Sequence, residues 1–81
     1  SEILLDKQAS HAIQKRIIHS IEKDGEVTVT DLHVWSIGPN IYAAIISVLA
    51  QKDITSEELR AQLPKELGIE HISIEINKVY K

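Results

Sequence analysis

The sequence predicts an α+β domain of two layers, with elements in the order helix, strand, strand, helix, strand. Three patterns predict it. Ala9, Ile13, Ile17 and Ile21 recur at helical spacing, the run from Ile41 to Ala50 is apolar at nearly every position, and Ile72, Ile74 and Ile76 alternate with His71, Ser73, Glu75 and Asn77. The first pattern needs a helix with one buried stripe, the second a strand covered on both sides, and the third a half-buried strand.

Ile3 to Leu5 form a short apolar lead-in, and Asp6 is suited to cap the helix that follows by accepting a hydrogen bond from a free backbone amide. That helix is expected over Lys7 to Lys23, with Ala9, Ile13, Ile17 and Ile21 inward, Ile18 beside them, and Gln14, Lys15, Arg16 and Glu22 toward water. Asp24 and Gly25 stop it. A first strand over Glu26 to Ser36 places Val27, Val29, Asp31, His33 and Trp35 on one face, and Thr28, Thr30, Leu32 and Val34 on the other. A Gly38-Pro39 turn leads into a second strand, Asn40 to Ala50, apolar on both faces. Thr55 and Glu58 make a capping box that starts a second helix at Ser56, with Leu59 and Leu63 inward, Pro64 kinking or restarting it and Gly68 closing it. The third strand begins at Ile69 or Glu70 and reaches Val79.

The first two strands pair as an antiparallel hairpin, and the right-handed crossover through the second helix lays the third strand parallel to the second, in sheet order 1-2-3. Both helices then cover one face of the sheet. The opposite face is a mixed polar and apolar surface that is costly to leave in water, and a homodimer is its simplest cover.

Composition narrows the function classes. With 81 residues the chain makes one small domain, 1–81, and a formal net charge of -3 with scattered Lys and Arg argues against a nucleic-acid footprint. One Trp, two Tyr and no Phe leave no aromatic stacking platform. The absence of Cys excludes disulfides, thiol catalysis and thiolate metal sites, so any metal site must use His, Asp, Glu or water. The longest apolar run, Ile41 to Ala50, is about half the roughly 20 residues of a membrane helix, so this polypeptide is not expected to insert into a bilayer. No nucleophile elbow, phosphate loop or carboxylate pair is placed for acid–base chemistry, and the domain is expected not to be an enzyme.

Four residues are candidate metal ligands: Asp31, His33, His71 and Glu75. Asp31 and His33 lie two apart on one strand face, about 6.5 to 7 Å between backbones, and can share a metal or a hydrogen bond; the more ordinary reading is that Asp31 caps a loop or pairs with a cation while His33 is a packed surface imidazole. His71 and Glu75 lie about 13 Å apart along a strand, so they serve different sites or an ordinary solvated face. His11 and His19, more than two helical turns apart, cannot chelate one ion. Trp35 and Tyr42 are read as packing anchors, the candidate interface residues.

The run Asp31-Leu32-His33-Val34-Trp35-Ser36, its turn, the apolar strand, and His71-Ile72-Ser73-Ile74-Glu75 together resemble the C-terminal cytoplasmic domain of cation diffusion facilitator transporters. The resemblance covers essentially the whole chain, and Ile3-Leu4-Leu5-Asp6 is similar to the segment that follows the last transmembrane helix in that family, making residues 1–6 a lead-in from a missing transmembrane segment. It implies a metallochaperone-like, ferredoxin-like αββαβ sandwich, a homodimer at the cytoplasmic face of the membrane, the transmembrane domain of the same full-length chain as partner, and a divalent metal ion (zinc, cobalt or nickel) that is not essential. It also implies ligand roles for His71 and, at a more peripheral site, Glu75. Thr30 stands where many members carry His, and Ala44 to Ser47 supply none of the usual second-strand ligands, so the usual multi-ligand site is depleted. The Gly-Pro turn and ligand-poor second strand are most similar to the cobalt, nickel and zinc exporting branch. The rival reading is a free-standing small-molecule-binding regulatory or interaction module of the same ferredoxin-like type.

Overall fold

The computed structural model describes residues 2–79, with side chains described for 11–79. Its elements run α1 (Glu2–Glu22), β1 (Val27–Gly38), β2 (Ile41–Ala50), α2 (Ser56–Gln62), a 3₁₀ turn (Lys65–Leu67) and β3 (Ile69–Lys78). The sheet order is β1-β2-β3, with β1 antiparallel and β3 parallel to β2, as the element order predicts.

Both helices pack on one face of the sheet. Ile17 and Ile21 from α1, Leu59 from α2 and Leu67 close over Val27, Ala44, Ile46, Val48 and Ala50, with Ile72, Ile74 and Ile76 of β3 partly buried against them. Each of the fully buried large side chains, Ile17, Ile21, Ile46, Leu59, Val27 and Val48, contributes about 1.5–3 kcal/mol by leaving water.

Four expectations need correction. The helix begins at Glu2, so the Ile3–Leu5 lead-in is helical and Asp6 lies inside α1 instead of capping it; Glu2, Ile3, Leu4 and Leu5 carry no residue that stops a helix. Ala9 lies outside the described side chains. Ile18 is exposed, because it sits a full residue rotation away from the Ile13, Ile17 and Ile21 stripe. Glu22 is half-buried rather than turned to water, since its carboxylate accepts the Val29 amide at 2.8 Å. The fourth correction, the faces of β1, belongs with the site.

The connections follow their local chemistry. The Thr55 side chain accepts the Glu58 amide at 3.1 Å while Glu58 accepts the Thr55 amide at 2.9 Å, the reciprocal box read from the sequence. Pro64 ends α2 and heads the 3₁₀ turn, and Gly68 closes it at φ 73. The Gly68 carbonyl oxygen accepts the Tyr42 amide at 2.8 Å, and a Cβ on Gly68 would lie 2.4 Å from the Asn40 carbonyl oxygen. The entry to β3 is thus pressed against the β1–β2 turn.

Asp24 and Lys52 pair across the neighbouring ends of β1 and β2. The Lys52 ammonium, then the Glu26 amide, hold the Asp24 carboxyl below the usual carboxylate range, and Asp24 holds Lys52 above the usual lysine range.

Two outcomes are expected. Gly68→Ala should destabilise the fold by about 2 kcal/mol or more in urea titrations, and Gly25→Ala by only about 1 kcal/mol, because Gly25 shares the positive φ but has nothing within 4 Å. Asp24→Asn should lower stability near neutral pH. Asp24 has a depressed pKa, so its contribution is complete above the unfolded carboxylate value and fades as pH falls through the folded one; Lys52 has a raised pKa, so its share fades only as pH rises through that value. The wild-type advantage should therefore vanish in acid strong enough to protonate Asp24, and shrink with added salt because the pair is accessible.

Candidate functional site

The helix-free face of the sheet carries the candidate residues, and a β-bulge puts them there. β1 pairs Val29 with Val48 and Asp31 with Ser47, so Thr30 is an extra residue. It changes the phase of the strand: Val27 and Val29 share the helix-covered face with Leu32 and Val34, while Asp31, His33 and Trp35 point to the open side. Strict alternation, which grouped Val27 and Val29 with Asp31, His33 and Trp35, is corrected here. The Thr30 hydroxyl donates to the Ser47 carbonyl oxygen at 3.1 Å, supplying a bond where the ladder is interrupted.

Cross-strand register arranges the open face in rows: Trp35, Ala43 and His71; His33, Ile45 and Ser73; Asp31, Ser47 and Glu75; Thr28, Leu49 and Asn77. Its apolar part is open to solvent, with Trp35 43% and Ile45 46% exposed and Leu49 and Ile41 beside them in the same class. The small Ala43 between Trp35 and His71 is buried.

The polar candidates form pairs. His33 Nε2 lies 3.3 Å from Asp31 Oδ2, both side chains largely exposed. The Ser47 hydroxyl donates to Glu75 Oε1 at 3.3 Å. His71 sits two rows from Glu75 and across β2 from the β1 pair. Among the described residues no group of three or more His, Asp or Glu is placed to hold a metal ion. The residues of one copy therefore do not fit a closed tetrahedral metal site; completing one would take donors from elsewhere.

Of the two candidate interface residues, Trp35 lies on the open face, whereas Tyr42 follows the opposite parity of β2 and is half-buried at the helix-side end of the strand. A second concave feature, between α2 with its 3₁₀ turn and β3, was not foreseen from the sequence; it brings Arg60, Lys65 and His71 together from separate elements. No spacing pattern announces it, because it is made by where Pro64 turns the chain.

No protein-family model and no curated protein matches the sequence. Solved structures do match. A nickel form of a MamM CTD variant superposes with a TM-score of 0.67 at 19% identity, covering 85% of this chain and 98% of that one. A doubly substituted MamM CTD gives 0.69 at 19% identity, covering 85% and 93%, and a copper form of another variant gives 0.66 at 19%, covering 85% and 96%. At this identity the likeness establishes the fold: the two-layer α+β arrangement expected from the element order, of the ferredoxin-like kind that the resemblance implied.

The bulge makes a sharp prediction. Deleting Thr30 heals the ladder without moving Asp31 off Ser47 or Leu32 off Ile46, so that variant should fold, at a cost of about 1 kcal/mol for the lost hydrogen bond. Deleting Leu32 also heals the ladder, but it moves Asp31 into the Leu32 position opposite Ile46 on the helix-covered face, and it should cost several kcal/mol. Circular dichroism with urea titration of the two deletions checks this.

Proposed function

We propose that this chain is the homodimerising cytoplasmic domain of a divalent-cation efflux transporter of the cation diffusion facilitator family, responding to cations of the zinc, cobalt or nickel type, and that it performs no catalysis. The observation that carries the reading is the open sheet face, where Trp35, Ile45 and Leu49 are exposed around the ligand-bearing residues Asp31, His33, Glu75 and His71. The fold supports it, since the matched structures are of the MamM C-terminal domain, a cytoplasmic domain of such a transporter, solved in nickel, copper and cadmium forms. The resemblance carried by Asp31 to Ser36 and His71 to Glu75 points the same way. No helix among the described residues is long and apolar enough to cross a membrane, and in this reading the pore is supplied by a transmembrane domain of the same full-length chain.

The mechanism is mutual approach. Two copies covering one another's open faces remove Trp35 and Ile45 from water, and the geometry they adopt biases the attached pore. Because the described residues of one copy offer donors only in pairs, a metal ion is held with donors from both copies, His33 with its Asp31 on one side and His71 on the other. Metal binding then strengthens the dimer by linkage.

Sedimentation velocity across a concentration series should show a monomer–dimer equilibrium that Trp35→Ser weakens about tenfold or more; a strict monomer at about millimolar protein refutes the dimer. Calorimetric titration with zinc, cobalt and nickel should give heat that His33→Ala and His71→Ala each reduce, and no heat in the parent removes the metal role.

A further inference from the structure

The two edges of the sheet differ. β1 is interrupted by extra residues at Thr30 and Ile37, and its Val29 amide is taken by the Glu22 carboxylate. Both features discourage another strand from adding there. β3, the opposite edge, runs in unbroken register with β2 from His71 to Lys78. Arg60 donates to the Ile72 carbonyl oxygen at 3.2 Å, so the Ile72 peptide groups face away from β2, and alternation aims those of Ile74 and Ile76 the same way. Among the described residues no hydrogen bond reaches Ile74 or Ile76 from that side.

At the beginning of this edge, α2 and the 3₁₀ turn stand off from β3 around a cleft of about 540 Å³. Leu63 and Ile72 make its walls apolar, and Arg60, Lys65 and His71 face a single carboxylate, Glu70. Arg60 spends one guanidinium nitrogen on Ile72 and keeps its other donors.

We propose that β3 accepts an extended peptide as a fourth, antiparallel strand whose C-terminal carboxylate seats in this cleft beside Arg60 and Lys65. The direction follows from the geometry. A strand antiparallel to β3 ends where β3 begins, and β3 begins at Ile69, on the cleft wall. Main-chain bonds to Ile74 and Ile76 hold any extended segment, the two cations select a free terminal carboxylate, and the apolar walls select an aliphatic last side chain. The partner class is thus a protein with an extended, apolar C-terminus, and the inference stands independently of metal binding and of membrane attachment.

The test is selection from a peptide library displayed with free C-termini, followed by NMR titration of the protein with the selected peptide. Chemical-shift changes and slowed amide exchange are expected at Ile74, Ile76 and the cleft. Amidating the peptide's C-terminus should weaken binding at least tenfold, as should Arg60→Gln with Lys65→Gln, while Trp35→Ser on the open face leaves it unchanged. Failure to select any peptide, affinity indifferent to amidation, shifts centred on the open face, or pairing of β3 with β3 of a second copy would each overturn the proposal.

Discussion

β2 is apolar on both sides, and the domain has material to cover only one of them. Ala44, Ile46, Val48 and Ala50 close against α1 and α2, while Ile41, Ile45 and Leu49 face outward. A chain of 81 residues buries about 60% of its unfolded surface, enough for one core and not for two. The two helices are both committed to the same face, and the second apolar side of β2 stays exposed.

The bulge at Thr30 lets β1 serve both sides of the sheet. Were Thr30 threaded into an unbroken ladder, Val27 and Val29 would share a face with Asp31, His33 and Trp35, and either the valines would leave the core or the ionisable pair would enter it. Burying that carboxylate and imidazole without further partners would cost several kcal/mol. Bulging Thr30 out of the ladder resolves the conflict locally: Val27 and Val29 stay with the core, and the second half of the strand alternates Leu32 and Val34 inward with His33 and Trp35 outward. The same distortion spoils the outer edge of β1 as a template, so the device that places the site also protects the edge.

Much of this was legible in the sequence. The Thr55–Glu58 box, the Pro64 restart, the Gly68 stop and the alternation of β3 are local signals, and the three strands and the start of α2 formed within a residue or two of their expected positions. The start of α1 was misread because Asp6 is a good cap whose use depends on what precedes it. The bulge did leave a trace: the apolar positions of β1 change from odd at Val27 and Val29 to even at Leu32 and Val34, a shift of parity that strict alternation overlooks. The Asp31–His33 pairing was one of the readings the spacing allowed. The cleft beside β3 was not readable, since Arg60 and His71 meet there only through the placement of α2, which no local pattern specifies.

The open face and the β3 edge lie in perpendicular directions, and this separates their consequences. A copy stacked on Trp35 and Ile45 approaches along the sheet normal, whereas a strand added beside Ile74 lies in the sheet plane. The two surfaces can therefore be occupied together, and they meet at one residue: His71 stands in the Trp35–Ala43 row of the open face and also lines the cleft at the edge. His71 borders both surfaces, but the carboxylate seat rests on Arg60 and Lys65, which α2 and the 3₁₀ turn supply from the helix side of the sheet, so covering the open face leaves those two cations in place.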